Sequence, residues 1–326
     1  MKRMRSFWRV WLLGIWLGAS LGCATGGYQL PLDQRYASAA RALDGQQWEL
    51  AARSYHSLWR DDNASKGSVV GWSRALLGQG HPESALSILK AARERDEDAE
   101  LASLTGKTLD VLGRSEEARE AYAAALAQDP QHPGALAALG KSFFQAGHAE
   151  AAAPLLLRAA KAADSDPALL RLTAEAAQTA GLAEIELEAL EVLSQLGDSN
   201  AGELVRGAEL LRGQGPLDSE QRARIEAWFS RAVSLDPQLA TGWIGLARMR
   251  AERGEQGLAV TAYERAVEAD PSQAGALLAL ARLCQEEGRP GRARVLAEHA
   301  LTFLQGPEER APFESLLAEL DAAIAR

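Results

Sequence analysis

Few residues in this 326-residue chain stand where they could perform covalent or metal chemistry. The histidines His56, His81, His132, His148 and His299 are scattered, and none pairs with another at a helical spacing that would hold zinc. His81, His132 and His148 fall at turns, where a solvated imidazole is the simplest reading. No glycine loop leads into a Lys-Ser or Lys-Thr pair, so a nucleotide phosphate has no cradle. The two cysteines, Cys23 and Cys284, cannot build a disulfide framework or a metal pair. Cys284 shares a helical face with Leu280 and Leu283 and reads as a small buried hydrophobe. No catalytic set emerges, and no cofactor, metal or small-molecule substrate is expected. The formal charge of −9 also argues against nucleic acid as a partner. The acidic run at 94–100 reads as solvated helix ends.

The stronger signal is periodic. Gly80, Gly113, Gly147, Gly181 and Gly215 are 33 or 34 residues apart, and Gly254 and Gly288 are again 34 apart. One step, from Gly215 to Gly254, is five residues too long, and Pro216-Leu217-Asp218-Ser219-Glu220 accounts for it. About five residues after the turns stand Ala85, Ala118, Ala152, Ala259 and Ala293. A second small residue follows at Ala92, Ala125, Ala159, Ala232, Ala266 and Ala300. Asp129-Pro130, Asp236-Pro237 and Asp270-Pro271 close three copies, because proline has no amide proton and disfavours helix at the residue before it. In 240–271 the apolar residues recur at steps of three and four on both sides of Gly254, which is helical spacing. Each period is thus a helical hairpin that cannot bury its stripe alone and must stack on its neighbours.

This pattern resembles the tetratricopeptide repeat, most closely at 99–130, 133–164 and 240–271, with Gly106 and Gly140 at the small place of the first helix and Tyr122 and Tyr263 at the aromatic one. The resemblance runs over 32–305. It implies an all-α, right-handed superhelical solenoid of about eight helix-turn-helix units. Units are expected to begin near Lys66, Ala99, Pro133, Pro167, Ala201, Ala240 and Ala274. A degenerate first unit precedes them, with helices over 36–43 and 48–59 around Asp44-Gly45. A last helix over 311–325, with Phe313, Leu316, Leu317, Leu320 and Ile324 on one face, is expected to cap the stack. The unit from Pro167 carries Glu186 where a small residue is expected, which predicts looser or altered packing. The five inserted residues predict a protruding loop.

In this family the ninth place of each first helix lines the concave groove. Here that place holds Arg74, Lys107, Lys141, Glu175, Glu209, Arg248 and Arg282. Arg171 lies one turn before Glu175, and Phe144 and Ile244 add apolar contact. These residues form a candidate groove for an acidic or C-terminal peptide, basic over 74–141 and 248–282. Lys and Arg at exposed helix positions also serve solubility alone, and that reading stands beside the first.

The first residues have a different character. Lys2, Arg3, Arg5 and Arg9 precede or overlap a short apolar stretch over 10–22, which reads as a secretory signal too short for a convincing membrane span. Ala19-Ser20-Leu21-Gly22-Cys23 resembles the bacterial lipobox, although leucine stands one place late. The resemblance implies a lipid-bearing N-terminus at Cys23. With Ala24 next, it implies outer-membrane sorting and a periplasmic location. A cleaved signal with a free Cys23 thiol, or an uncleaved anchor, are the alternatives. The expected plan is a signal at 1–22, a lipidated tether at 23–33, the repeat array at 34–305 and a cap at 306–326. Loss of 1–22 removes four positive charges, taking the formal charge from −9 to −13. The functional expectation is a membrane-anchored, non-catalytic scaffold for envelope proteins, assisting assembly of a secretion, pilus or motility machine. The alternative is a regulatory subunit of a cell-wall hydrolase, synthase or protease.

Overall fold

The computed structural model describes residues 30–324, so the signal, the lipobox and Cys23 lie outside the described residues, as does the end of the chain. The described residues form two compact units that divide between Glu97 and Asp98, within the acidic run. All regular structure among them is helical.

The first unit holds α1 (Leu32–Asp44), α2 (Trp48–Asp61), α3 (Lys66–Gly78) and α4 (Pro82–Arg93). Ala39, Ala42, Ala51, Ala52, Tyr55, Leu58 and Ala75 make its core. The Tyr36 hydroxyl ties α1 to the loop before α3 through Asp62 Oδ2 at 2.8 Å and Ser65 Oγ at 2.5 Å. The expected Asp44-Gly45 turn is present, but Gly45 keeps a negative φ and Gln46 takes the left-handed place at φ 55°.

The second unit holds α5 (Ala99–Val111), α6 (Ser115–Gln128), α7 (Pro133–Gln145), α8 (Ala149–Ala162), α9 (Pro167–Ala180), α10 (Ala183–Leu196), α11 (Ala201–Gly213), α12 (Ser219–Leu235), α13 (Ala240–Glu252), α14 (Gln256–Ala269), α15 (Ala274–Glu286), α16 (Pro290–Phe303) and α17 (Pro307–Ile324). Taken in pairs, α1 to α16 are eight hairpins, and all seven expected unit starts coincide with the first residue of an odd-numbered helix. Gly80, Gly113, Gly147, Gly181, Gly254 and Gly288 sit at φ between 71° and 81°, where a side chain would be strained. Their spacing is therefore the spacing of helix C-caps.

The Asp-Pro endings also have a local cause. Asp129, Asp236 and Asp270 are extended C-caps, as a following proline requires. Each carboxylate accepts the N–H of the residue beyond the proline, at 2.9–3.0 Å. Within hairpins, alanines 118, 152, 259 and 293 are at most 1% exposed. The small place in the first helix is enforced sterically. A Cβ on Gly106 would stand 2.6 Å from the Tyr122 ring, and one on Gly140 would stand 2.8 Å from Leu156. The C-terminal helix caps the stack as expected, burying Phe313, Leu316 and Leu320 against α15 and α16 residues such as Leu280 and Ala297.

Of the two departures from the repeat, the insertion differs from expectation and the Pro167 unit shows the altered form of packing expected of it. The insertion is only partly a loop: Gly215 to Asp218 turn the chain, and Ser219 and Glu220 join α12, which runs 17 residues where most helices here run 13 or 14. Asp218 and Gln221 form a capping box at its start. In the unit from Pro167, the Glu186 side chain is not splayed outward. It is 3% exposed and takes both Nε and Nη2 of Arg206 at 2.6 and 2.7 Å, so a bidentate ion pair replaces the alanine contact.

Candidate functional site

In the second unit, the ninth-place residues recur in one helical register, one per first helix. Lys107, Lys141, Glu175, Glu209 and Arg282 are exposed, and Arg248 is half-buried. Arg74 is exposed on α3 of the first unit and lies near the Tyr55 hydroxyl. The basic residues differ in how they are engaged. Arg171 is held by its own unit: its guanidinium binds Glu203 Oε1 at 2.9 Å and Asp198 Oδ2 at 2.8 Å, pinning α9 to the start of α11. It is an inter-repeat staple with its charge already matched. Arg248 lies against the Tyr263 hydroxyl, opposing the burial that pushes that tyrosine's pKa up. Ile244 is 9% exposed and packs with Ala247, Val260 and Leu277, so it belongs to the core and offers no surface to a peptide.

What remains is narrower than the sequence suggested. Lys107, Lys141 and Arg282 make no ion pair or hydrogen bond among the described residues. Lys90, Arg95 and Arg222 likewise make none, while other cations are used internally. Arg206, Arg224, Arg253 and Arg292 each hold a glutamate from a different helix, and Lys161 holds Glu188. Lys107 and Lys141 lie on α5 and α7, which pack on each other. Each has an apolar side chain one turn further along its helix. Phe144 is half-buried, and Val111, which the sequence reading passed over, is 60% exposed. Asp110, the nearest acid on α5, accepts the Tyr122 hydroxyl at 2.7 Å and is directed away from this role. Burial first, and Asp110 second, push the Tyr122 pKa up.

His132 caps α7, its Nδ1 accepting Ala135 N–H at 3.1 Å while Nε2 lies 3.1 Å from Glu100. His148 flanks an open concavity of about 700 Å³ with Phe143, Glu150 and Thr179. Cys284 is fully buried, and burial pushes its thiol pKa up. Among the described residues no group of histidine, cysteine or carboxylate side chains could hold a metal, and no helix is long and apolar enough to cross a membrane. The first unit carries an aromatic stack that no repeat pattern signals: His56 over Trp72 at 4.4 Å, with Trp59 at 5.6 Å from Trp72.

Models of the tetratricopeptide repeat match residues 70–133, 112–176 and 240–283. No curated protein matches the sequence. Among solved structures, the chain is similar to one from the APC/C hetero-tetramer Cut9-Hcn1, at 15% identity and a TM-score of 0.40 over 87% of this chain; the chain spans 56% of that one. A tetratricopeptide repeat protein from Parabacteroides merdae is similar at 14% identity and a TM-score of 0.41, over 78% of this chain and 98% of that one. The C-terminal part of a repeat-containing protein from Cytophaga hutchinsonii is similar at 13% identity and a TM-score of 0.37, over 85% of this chain and 98% of that one.

Proposed function

Since the chain is built of tetratricopeptide repeats, whose stacked hairpins are typically non-catalytic and generally mediate protein–protein interaction, we propose that it is a scaffold that captures an acidic protein segment on Lys107 and Lys141. The observation that carries this reading is that Lys107 and Lys141, on the packed first helices α5 and α7, are both exposed and unmatched beside Val111 and Phe144 in a protein of formal charge −9. Val111 and Phe144 beside them favour a segment that alternates carboxylates with apolar side chains. Arg282, at the other end of the same register, is a second contact for a longer partner. The mechanism is positional. A lipid on Cys23 would hold the chain at the periplasmic face of an outer membrane, and the lysines would raise the local concentration of a bound partner. Assembly of an envelope machine for secretion, pili or motility is the role in this proposal.

The test is crosslinking and capture from intact cells that make Lys107→Ala/Lys141→Ala. These side chains are exposed, so the fold is retained. Charge-assisted hydrogen bonds contribute about 1.5–3 kcal/mol each, so capture is expected to weaken at least about tenfold per lysine. An unchanged set of captured proteins would refute the groove.

A further inference from the structure

The two ends of the repeat series are finished differently. α17 closes the C-terminal end with buried Phe313, Leu316 and Leu320. At the N-terminal end, α1 and α2 pack on each other and on α3, and among the described helices no other packs on them to a comparable extent. Their outer side has a groove of about 370 Å³ lined by Leu30, Leu50, Arg35, Arg53, Ser38 and Ser54. Leu30, Leu32 and Leu50 are 52%, 42% and 48% exposed. The groove floor is rigid, because Arg35 is fixed to Ser57 and Asp61 at 2.9 and 2.6 Å.

Charge does not oppose contact of this end with an anionic surface. The α1–α2 hairpin carries Arg35, Arg41, Arg53 and Arg60 against Asp33, Asp44, Glu49 and Asp61, so it is neutral in an acidic chain. A hairpin with no net charge is not repelled by an anionic surface. Arg53 stands beside Leu50 at the groove and can meet a headgroup while the leucines enter the interface.

Chain length supplies the occupant. Cys23 is seven residues before Leu30 in sequence, and seven residues span at most about 25 Å when fully extended. We infer that the open N-terminal end, with Leu30 and Leu50 in its groove and Arg53 at the rim, seats on the phospholipid surface to which Cys23 is anchored. The inference rests on the lipid anchor proposed above and adds an orientation to it: the first hairpin lies on the bilayer instead of hanging freely from a tether.

The experiment uses the full chain, purified from cells that acylate it, in phosphatidylethanolamine–phosphatidylglycerol vesicles. An environment-sensitive fluorophore is placed through Leu50→Cys, and in a second sample through Ser84→Cys on α4, at the other end of the first unit. Cys284 is buried and stays unlabelled. Lipid-borne quenchers should reach the label at 50, which is expected within about 5–10 Å of the headgroup boundary, and leave the label at 84 bright. Equal quenching at both positions, on protein whose Cys23 mass shows acylation, overturns the seating and leaves the anchor standing. Quenching at 50 that depends on a second labelled copy and not on lipid also overturns it, in favour of a face between two copies. An unacylated Cys23 in the purified protein overturns the anchor and the seating together.

Discussion

Removing the Arg206 guanidinium should destabilise the protein far more than removing the carboxylate it binds. Glu186 is 3% exposed, and its two oxygens accept Nε and Nη2 of Arg206. In Arg206→Ala the carboxylate stays buried without its cation. Breaking a buried pair in this way costs about 3–5 kcal/mol. Arg206 itself is 45% exposed, so water can reach part of the vacated site, and the expected cost falls to about 2–3 kcal/mol. Glu186→Ala is different in kind. It removes the charge that had to be desolvated and restores the residue type of Ala118, Ala152, Ala259 and Ala293, all at most 1% exposed. Its cost is expected within about 1 kcal/mol of zero. The double variant should match Glu186→Ala, giving a coupling of about 2 kcal/mol. Trp228 is a local reporter for urea unfolding, since its ring lies 3.1 Å from where a Cβ on Gly207, the residue after Arg206, would stand. At urea slopes of about 1–3 kcal/mol per molar, Arg206→Ala should lower the midpoint by about 1 M. If the two single variants unfold within about 0.5 kcal/mol of each other, the asymmetry argument fails.

Gly106→Ala should lower stability by about 1–3 kcal/mol, because the new methyl meets a Tyr122 ring that is 2% exposed and tied to Asp110; a thermal midpoint equal to wild type would show that the ring has room to move. Alkaline pH gives a second measurement. Burial raises the pKa of Tyr55, Tyr122 and Tyr263 in the folded chain, so above the unfolded value of about 10 the unfolded state releases protons that the folded state keeps. Stability is therefore full below that pH and falls as pH rises, by up to about 1.4 kcal/mol per pH unit per tyrosine. Tyr122→Phe should lose less stability between neutral and strongly alkaline pH in urea titrations, and parallel losses in the two proteins would contradict the assignment.

The hairpins were legible because their signals are local. A helix that ends at φ near 75° calls for glycine, and a proline forces the residue before it out of the helix, whatever surrounds them. Gly106 was legible for a related reason, since the ring that excludes a side chain there recurs at a fixed offset in the same hairpin. The insertion was located by counting, yet its form was misread. Whether five extra residues loop out or extend α12 depends on a capping box at Asp218 and Gln221 and on Leu217 packing against the core.

The candidate groove was legible only in outline. Sequence alone established an all-α array, its period, its acidic charge and the register in which seven ninth-place residues recur, since these depend on bonds and contacts within about one hairpin. The tertiary structure decided which charges have anything left to give a partner. Arg171 and Lys141 look alike in the sequence, but Arg171 meets Glu203, 32 residues away, and Lys141 meets no carboxylate. Glu186 signalled looser or altered packing in the sequence, and only the fold shows that the alteration is a pair with Arg206, 20 residues on. An ion pair forms or fails within about 4 Å, and distances on that scale between neighbouring repeats are set by how the hairpins stack.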